Sequence, residues 1–122
     1  MHIDLFWPDD YNEVYELLKA SGWPHEAIPS RQVACESLAW TVSDDYELAG
    51  FIRVLSDTEL VTYVCEIAVA EKFREHGAGR MLLDHVAGAF PNARIDLLST
   101  QGAKAFYEAT GFDARPGYRR YP

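Results

Sequence analysis

Residues 65–86 read CEIAVAEKFREHGAGRMLLDHV. The stretch opens as an apolar run, "CEIAV", and closes as an amphipathic one from Gly79 onward. Between the two, Lys72, Arg74, His76 and Arg80 gather around Gly77 and Gly79. A strand that turns through glycines into a helix forms an anion site, because N–H groups of the first helical turn point outward and the helix dipole favours negative charge. Glycine lets ligand oxygens approach the backbone and permits positive φ. The motif decides which anion. GxxxxGK[ST] is absent, and GxGxxG fails because position 82 is leucine, so neither an ATP-type loop nor a dinucleotide fold is supported. What remains is Arg74-x-x-Gly77-x-Gly79.

Upstream, "LAWTV" (38–42), "ELAGFIRVL" (47–55) and "LVTYVCEIAVA" (60–70) read as strands. They are separated by the turn formers "SDDY" and "SDTE", which predicts an antiparallel meander. "HIDLF" (2–6) reads as a first strand. Residues 9–23 place Tyr11, Val14, Tyr15 and Leu18 on one helical face, with Gly22 at the stop. Residues 24–38 read as short helical turns. Downstream, Met81, Leu82, Val86, Ala89 and Phe90 recur at helical spacing until Pro91. "ARIDLLS" (93–99) reads as a strand, "QGAKAFYEAT" (101–110) as a helix stopped by Gly111, and "DARPGYRRYP" (113–122) as a last edge strand. The fold class expected is α/β: a mixed central sheet, an antiparallel meander plus a parallel strand pair, flanked by helices.

The chain has 122 residues, 48% apolar and 25% charged, as expected of one domain spanning 1–122. No apolar run approaches the ~20 residues of a membrane span, and the acidic start lacks the basic region of a signal peptide. Cys35 and Cys65 form no framework and read as reduced core thiols of a cytoplasmic protein. The net charge of −8 is uneven: residues 1–66 hold 13 acids against 3 Lys/Arg, and residues 67–122 hold 6 against 8. An acidic chain argues against a nucleic-acid binder. The asymmetry fits an anionic ligand in the C-terminal half and a cationic partner facing the N-terminal half.

The glycine stretch, with its preceding strand and following helix, resembles the GNAT N-acetyltransferase superfamily, whose pyrophosphate motif is Q/R-x-x-G-x-G/A. "AKAFYEATGF" (103–112) is similar to that family's A-x-x-[FL]-Y-x-x-x-G-F segment, and "ELAGFIRVL" resembles its preceding strand. The resemblance covers residues 37 to 113. It implies acetyl-CoA as acyl donor, no metal, and an amine acceptor: a small cationic amine, a lysine-like amine or an N-terminal amine. A homodimer is compatible with it. By position, Ile67, Ala68 and Val69 would line the pantetheine arm, with backbone pairing from Ile67 and Val69. Arg74, His76, Gly77, Ala78, Gly79 and Arg80 would surround the pyrophosphate. Thr100 and Ala103 would complete the cofactor contacts. Many relatives have Asn where Thr100 stands closest here, which is a departure from the pattern.

Tyr107 is the residue the resemblance assigns as general acid, protonating the CoA thiolate. The same residue also sits on a helical stripe with Ala103, Phe106 and Thr110. Three candidates for the base stay open. Glu66 is a carboxylate in an apolar strand, costly without a partner. Tyr63, placed by strict alternation with Cys65, Ile67 and Val69, could hold a relaying water. Asp96 lies on the neighbouring strand. His85, alone on a helix, reads as structural. The alternative functions are a non-catalytic acetyl-CoA sensor or interaction domain of the same fold, and an unrelated phosphate-binding α/β domain.

Overall fold

The computed structural model describes all 122 residues. Five strands form one sheet in chain order: β1 (His2–Leu5), β2 (Leu38–Asp44), β3 (Glu47–Ser56), β4 (Val61–Val69) and β5 (Arg94–Asp96). The first three pairings are antiparallel, and β4–β5 alone is parallel. The helices are α1 (Tyr11–Ala20), α2 (Arg31–Glu36), α3 (Ala78–Ala89) and α4 (Lys104–Ala109). The crossover through α3 is what allows β5 to run parallel to β4. The expected α/β architecture is present.

The sheet separates two cores. On one face Val14, Leu17 and Leu18 of α1 pack with Ile28, Ala39, Phe51 and Ala68. Tyr11 closes this layer by donating its hydroxyl to the Pro29 carbonyl at 2.8 Å. On the other face Leu82, Leu83 and Val86 of α3 pack on Trp40, Val42, Ile52, Val54 and Val64. His85, on the exposed side of α3, stands edge-on to Trp40 with ring centroids 5.4 Å apart.

Three expectations need correction. Residues 113–122 form no strand and take part in no backbone hydrogen bond. Pro116 has no N–H to give a ladder, and it restricts Arg115 as well. Cys35 is exposed rather than in the core, and Cys65 is half-buried; both are free thiols. Finally, β4 does not alternate regularly. Arg53 pairs with Glu66 but Val54 pairs with Val64, which leaves Cys65 as the extra residue of a β-bulge. Val64 faces the α3 side before the bulge, and Ile67 and Val69 face it afterwards. Tyr63, opposite Leu55, is therefore on the other face of the sheet from Ile67 and Val69.

Candidate functional site

The β4–β5 ladder consists of three residue pairs, Val61 with Arg94 to Tyr63 with Asp96. Beyond it the strands part, two residues before the bulge at Cys65. The opening is a cleft of about 800 Å³, walled by Val64–Val69 on one side and by Leu97, Leu98, Thr100, Ala103, Phe106 and Tyr107 on the other. Trp23 and Pro24, from the turn after α1, also line it. Ala70 donates its N–H to Ala49 of β3 at 2.8 Å. Because N–H directions alternate along a strand, the N–H groups of Val69 and Ile67 point to the opened edge of β4.

The loop leaving β4 builds the far end of the cleft. A single helical turn, Glu71–Phe73, buries Phe73 and leads through Arg74 to Glu75, whose φ is 66°. Gly77 caps α3 with φ 85°, a left-handed conformation natural to glycine. The N–H groups of Gly77, Ala78, Gly79 and Arg80 meet no backbone acceptor. A Cβ on Gly79 would lie 3.0 Å from the Phe106 ring, so glycine there lets α4 close against the start of α3. Of the three cations noted in the sequence, Lys72 is bound to Glu47 at 2.7 Å and Arg80 leans toward Asp84 at 3.8 Å. Arg74 lines the cleft with no acidic partner, whereas His76 does not line it.

Tyr107 is half-buried in the opposite wall, edge-on to Phe106 (5.1 Å) and Phe112 (5.5 Å). Burial raises its pKa above the ordinary phenol value. The cleft also gathers Ile67, Ala68, Val69, Gly77, Ala78, Gly79, Arg80, Thr100 and Ala103.

The base candidates fare differently. Glu66 is buried, and Arg53 grips it bidentately at 2.6 and 2.7 Å while donating also to the Ser37 hydroxyl at 3.1 Å. The hydrogen bond to Glu66 raises the Arg53 pKa, and both carboxylate oxygens are engaged. Tyr63 lies on the far face, outside the cleft lining, and Asp96 is exposed and held by Arg94 at 3.1 Å. Sequence reasoning missed Trp23, for which no motif offers a signal. It also missed the contact of Phe106 with Gly79, although Phe106 stands inside the matched "AFY" segment.

An acetyl-CoA molecule fits these residues on three counts: free N–H groups at a helix start for a diphosphate, an unpaired strand edge for an extended amide chain, and a neutral phenol in the wall. No group of three or more His, Cys, Asp or Glu side chains is placed to hold a metal ion. No helix is long and apolar enough to cross a membrane.

The sequence profile of the acetyltransferase (GNAT) family matches residues 4–112. No curated protein sequence matches the chain. Among solved structures, a GNAT family acetyltransferase from Streptococcus pneumoniae TIGR4 superposes with a TM-score of 0.82 at 22% identity, over 99% of this chain and 97% of that one. The ribosomal-protein-alanine N-acetyltransferase of Brucella melitensis biovar Abortus 2308 gives 0.74 at 21%, over 100% and 99%. The ribosomal-protein-S18-alanine N-acetyltransferase of Escherichia coli gives 0.73 at 20%, over 94% and 79%. At these identities the likeness is one of fold.

Proposed function

The chain belongs to the acetyltransferase (GNAT) family, and from that premise we propose that it moves the acetyl group of acetyl-CoA onto a primary amine by direct attack. One juxtaposition carries the reading. The opened edge of β4 faces the Tyr107 phenol across a cleft that ends at the free N–H groups of α3.

Bound there, acetyl-CoA supplies an acetyl group already activated as a thioester. The N–H groups of Gly77 to Arg80, with Arg74, hold the diphosphate. The backbones of Ile67 and Val69 align the pantetheine arm as an added strand would be aligned. The Val69 N–H polarises the thioester carbonyl, a one-donor oxyanion site. Tyr107 would give its phenolic proton to the departing sulfur, and the proton shed by the nitrogen as the amide forms would restore the phenol; its raised pKa keeps it protonated at neutral pH beforehand.

Near Tyr107 the cleft offers no free side-chain base for the amine, since both oxygens of Glu66 are engaged by Arg53 and the unpaired Glu75 stands at the far end, beside the start of α3. The acceptor must therefore reach the site neutral. At pH 7.5 roughly a third of peptide α-amines are already neutral, against about one lysine in a thousand. This favours an N-terminal α-amine, and the names of the two alanine acetyltransferases of like fold point the same way. A groove of about 520 Å³ lined by Glu13, Glu16, Glu47 and Glu71 joins the cleft at Ser21 and Arg74, and suits an acceptor with further positive charge.

The test is thiol release from acetyl-CoA with three acceptors: a basic peptide beginning with alanine, the same peptide blocked at its N-terminus but carrying lysine, and a polyamine. The free α-amine should give the highest kcat/KM, rising with pH through about 8. Coenzyme binding without thiol release from any amine would instead establish the non-catalytic sensor.

A further inference from the structure

One carboxylate stands where an anion site calls for positive charge. Glu75 lines the cleft between Arg74 and His76, at the approach to the free N–H groups of α3. Glu47 and Asp84 each hold a neighbouring cation, but Glu75 forms no ion pair. Its φ of 66° lies in the left-handed region, which disfavours a side chain of this kind. Nothing in the loop's own packing calls for a glutamate: the side chain is exposed and forms no hydrogen bond. The position combines a conformational cost with a charge of the wrong sign, both beside the same ligand group.

We infer that Glu75 is a brake on cofactor affinity. Its carboxylate repels the diphosphate that Arg74 and the helix N-terminus attract, and so hastens departure of the spent coenzyme. The inference rests on the loop being the diphosphate site. The acetyl group would sit at the other end of the cleft, by Tyr107, so the brake acts alike on acetyl-CoA and CoA. It governs binding and release and leaves the chemical step alone. Exposure limits the repulsion to that of charges in a high-dielectric medium, and salt weakens it.

Titrations of CoA and of pantetheine, which lacks the diphosphate, into the wild type, Glu75→Gln and Glu75→Gly test the idea at low and high salt. Both variants should bind CoA about 3- to 10-fold tighter at low salt. That advantage should shrink at high salt, and the CoA off-rate in stopped flow should fall by a similar factor. Pantetheine should bind all three proteins equally. Glu75→Gly should also melt higher while Glu75→Gln does not, which separates relief of strain from loss of charge. Equal CoA affinity in wild type and Glu75→Gln overturns the brake. If pantetheine binds the wild type as tightly as CoA, the diphosphate site itself is misplaced and the brake falls with it.

Discussion

The Tyr107 ring is held edge-on by Phe106 and Phe112, and burial alone accounts for its raised pKa, with no hydrogen-bonded partner on the hydroxyl. Removing that hydroxyl therefore orphans nothing. Tyr107→Phe should lower kcat by roughly 10²–10⁴-fold if the phenol is the acid, while the melting temperature and CoA affinity stay near wild type. A phenol acts as an acid only while protonated, and a raised pKa extends that state upward. The alkaline loss of kcat should accordingly lie above the ordinary tyrosine range near 10. An alkaline limb near 8 with a saturating neutral amine would place the acid elsewhere. At the other end of the cleft, Gly77→Val sets a β-branched side chain at φ 85° and in the proposed path of the diphosphate. It should lower the melting temperature and, separately, abolish the upward shift that acetyl-CoA should give the wild type. Glu66 shows how far a residue can be read alone. The sequence exposes a carboxylate in an apolar strand, but its partner, Arg53, stands 13 positions earlier and is found only once β3 and β4 are in register.

Turns and strands were legible because turn formers punctuate the meander and glycines mark the start of α3. The bulge was not. In VTYVCEIAV apolar residues occupy both parities, since β4 is covered on both faces, and a shift of phase at Cys65 leaves no trace in the pattern. Strict alternation puts Tyr63 on the wrong face for that reason alone. The Arg53–Glu66 pair flanks the bulge and is nearly dry, with side-chain exposures of 14% and 6%. Glu66→Ala, which strands the arginine, should destabilise by about 3–5 kcal/mol in urea unfolding, whereas Arg53→Met with Glu66→Leu should recover most of it. The β2–β3 hairpin offers the opposite case. Its turn residues Asp45 and Tyr46 both have positive φ, and Tyr46 is fully exposed. Tyr46→Gly loses no contact and should stabilise by about 1 kcal/mol, read as a higher urea midpoint with unchanged slope.

Across the whole molecule, strand order follows chain order; β2, β3 and β4 are joined by tight turns, whereas β1 reaches β2 only across α1 and α2, and β5 reaches β4 only across α3. Three strands, β2 to β4, can zip up from neighbouring segments. The three-pair ladder to β5, which hinges the cleft, comes after closure of the 78–89 crossover and has little to hold it. Loop closure must precede the reward of such a contact, so this junction belongs late on the folding path. The shortness of that ladder thus has a kinetic meaning. A coenzyme bridging β4 and α3 would grip the part of the protein assembled after the rate-limiting barrier. It should slow unfolding in a chevron experiment nearly in proportion to its binding free energy and leave the refolding limb where it was. The ligand would lengthen the lifetime of the native state without helping the chain to reach it.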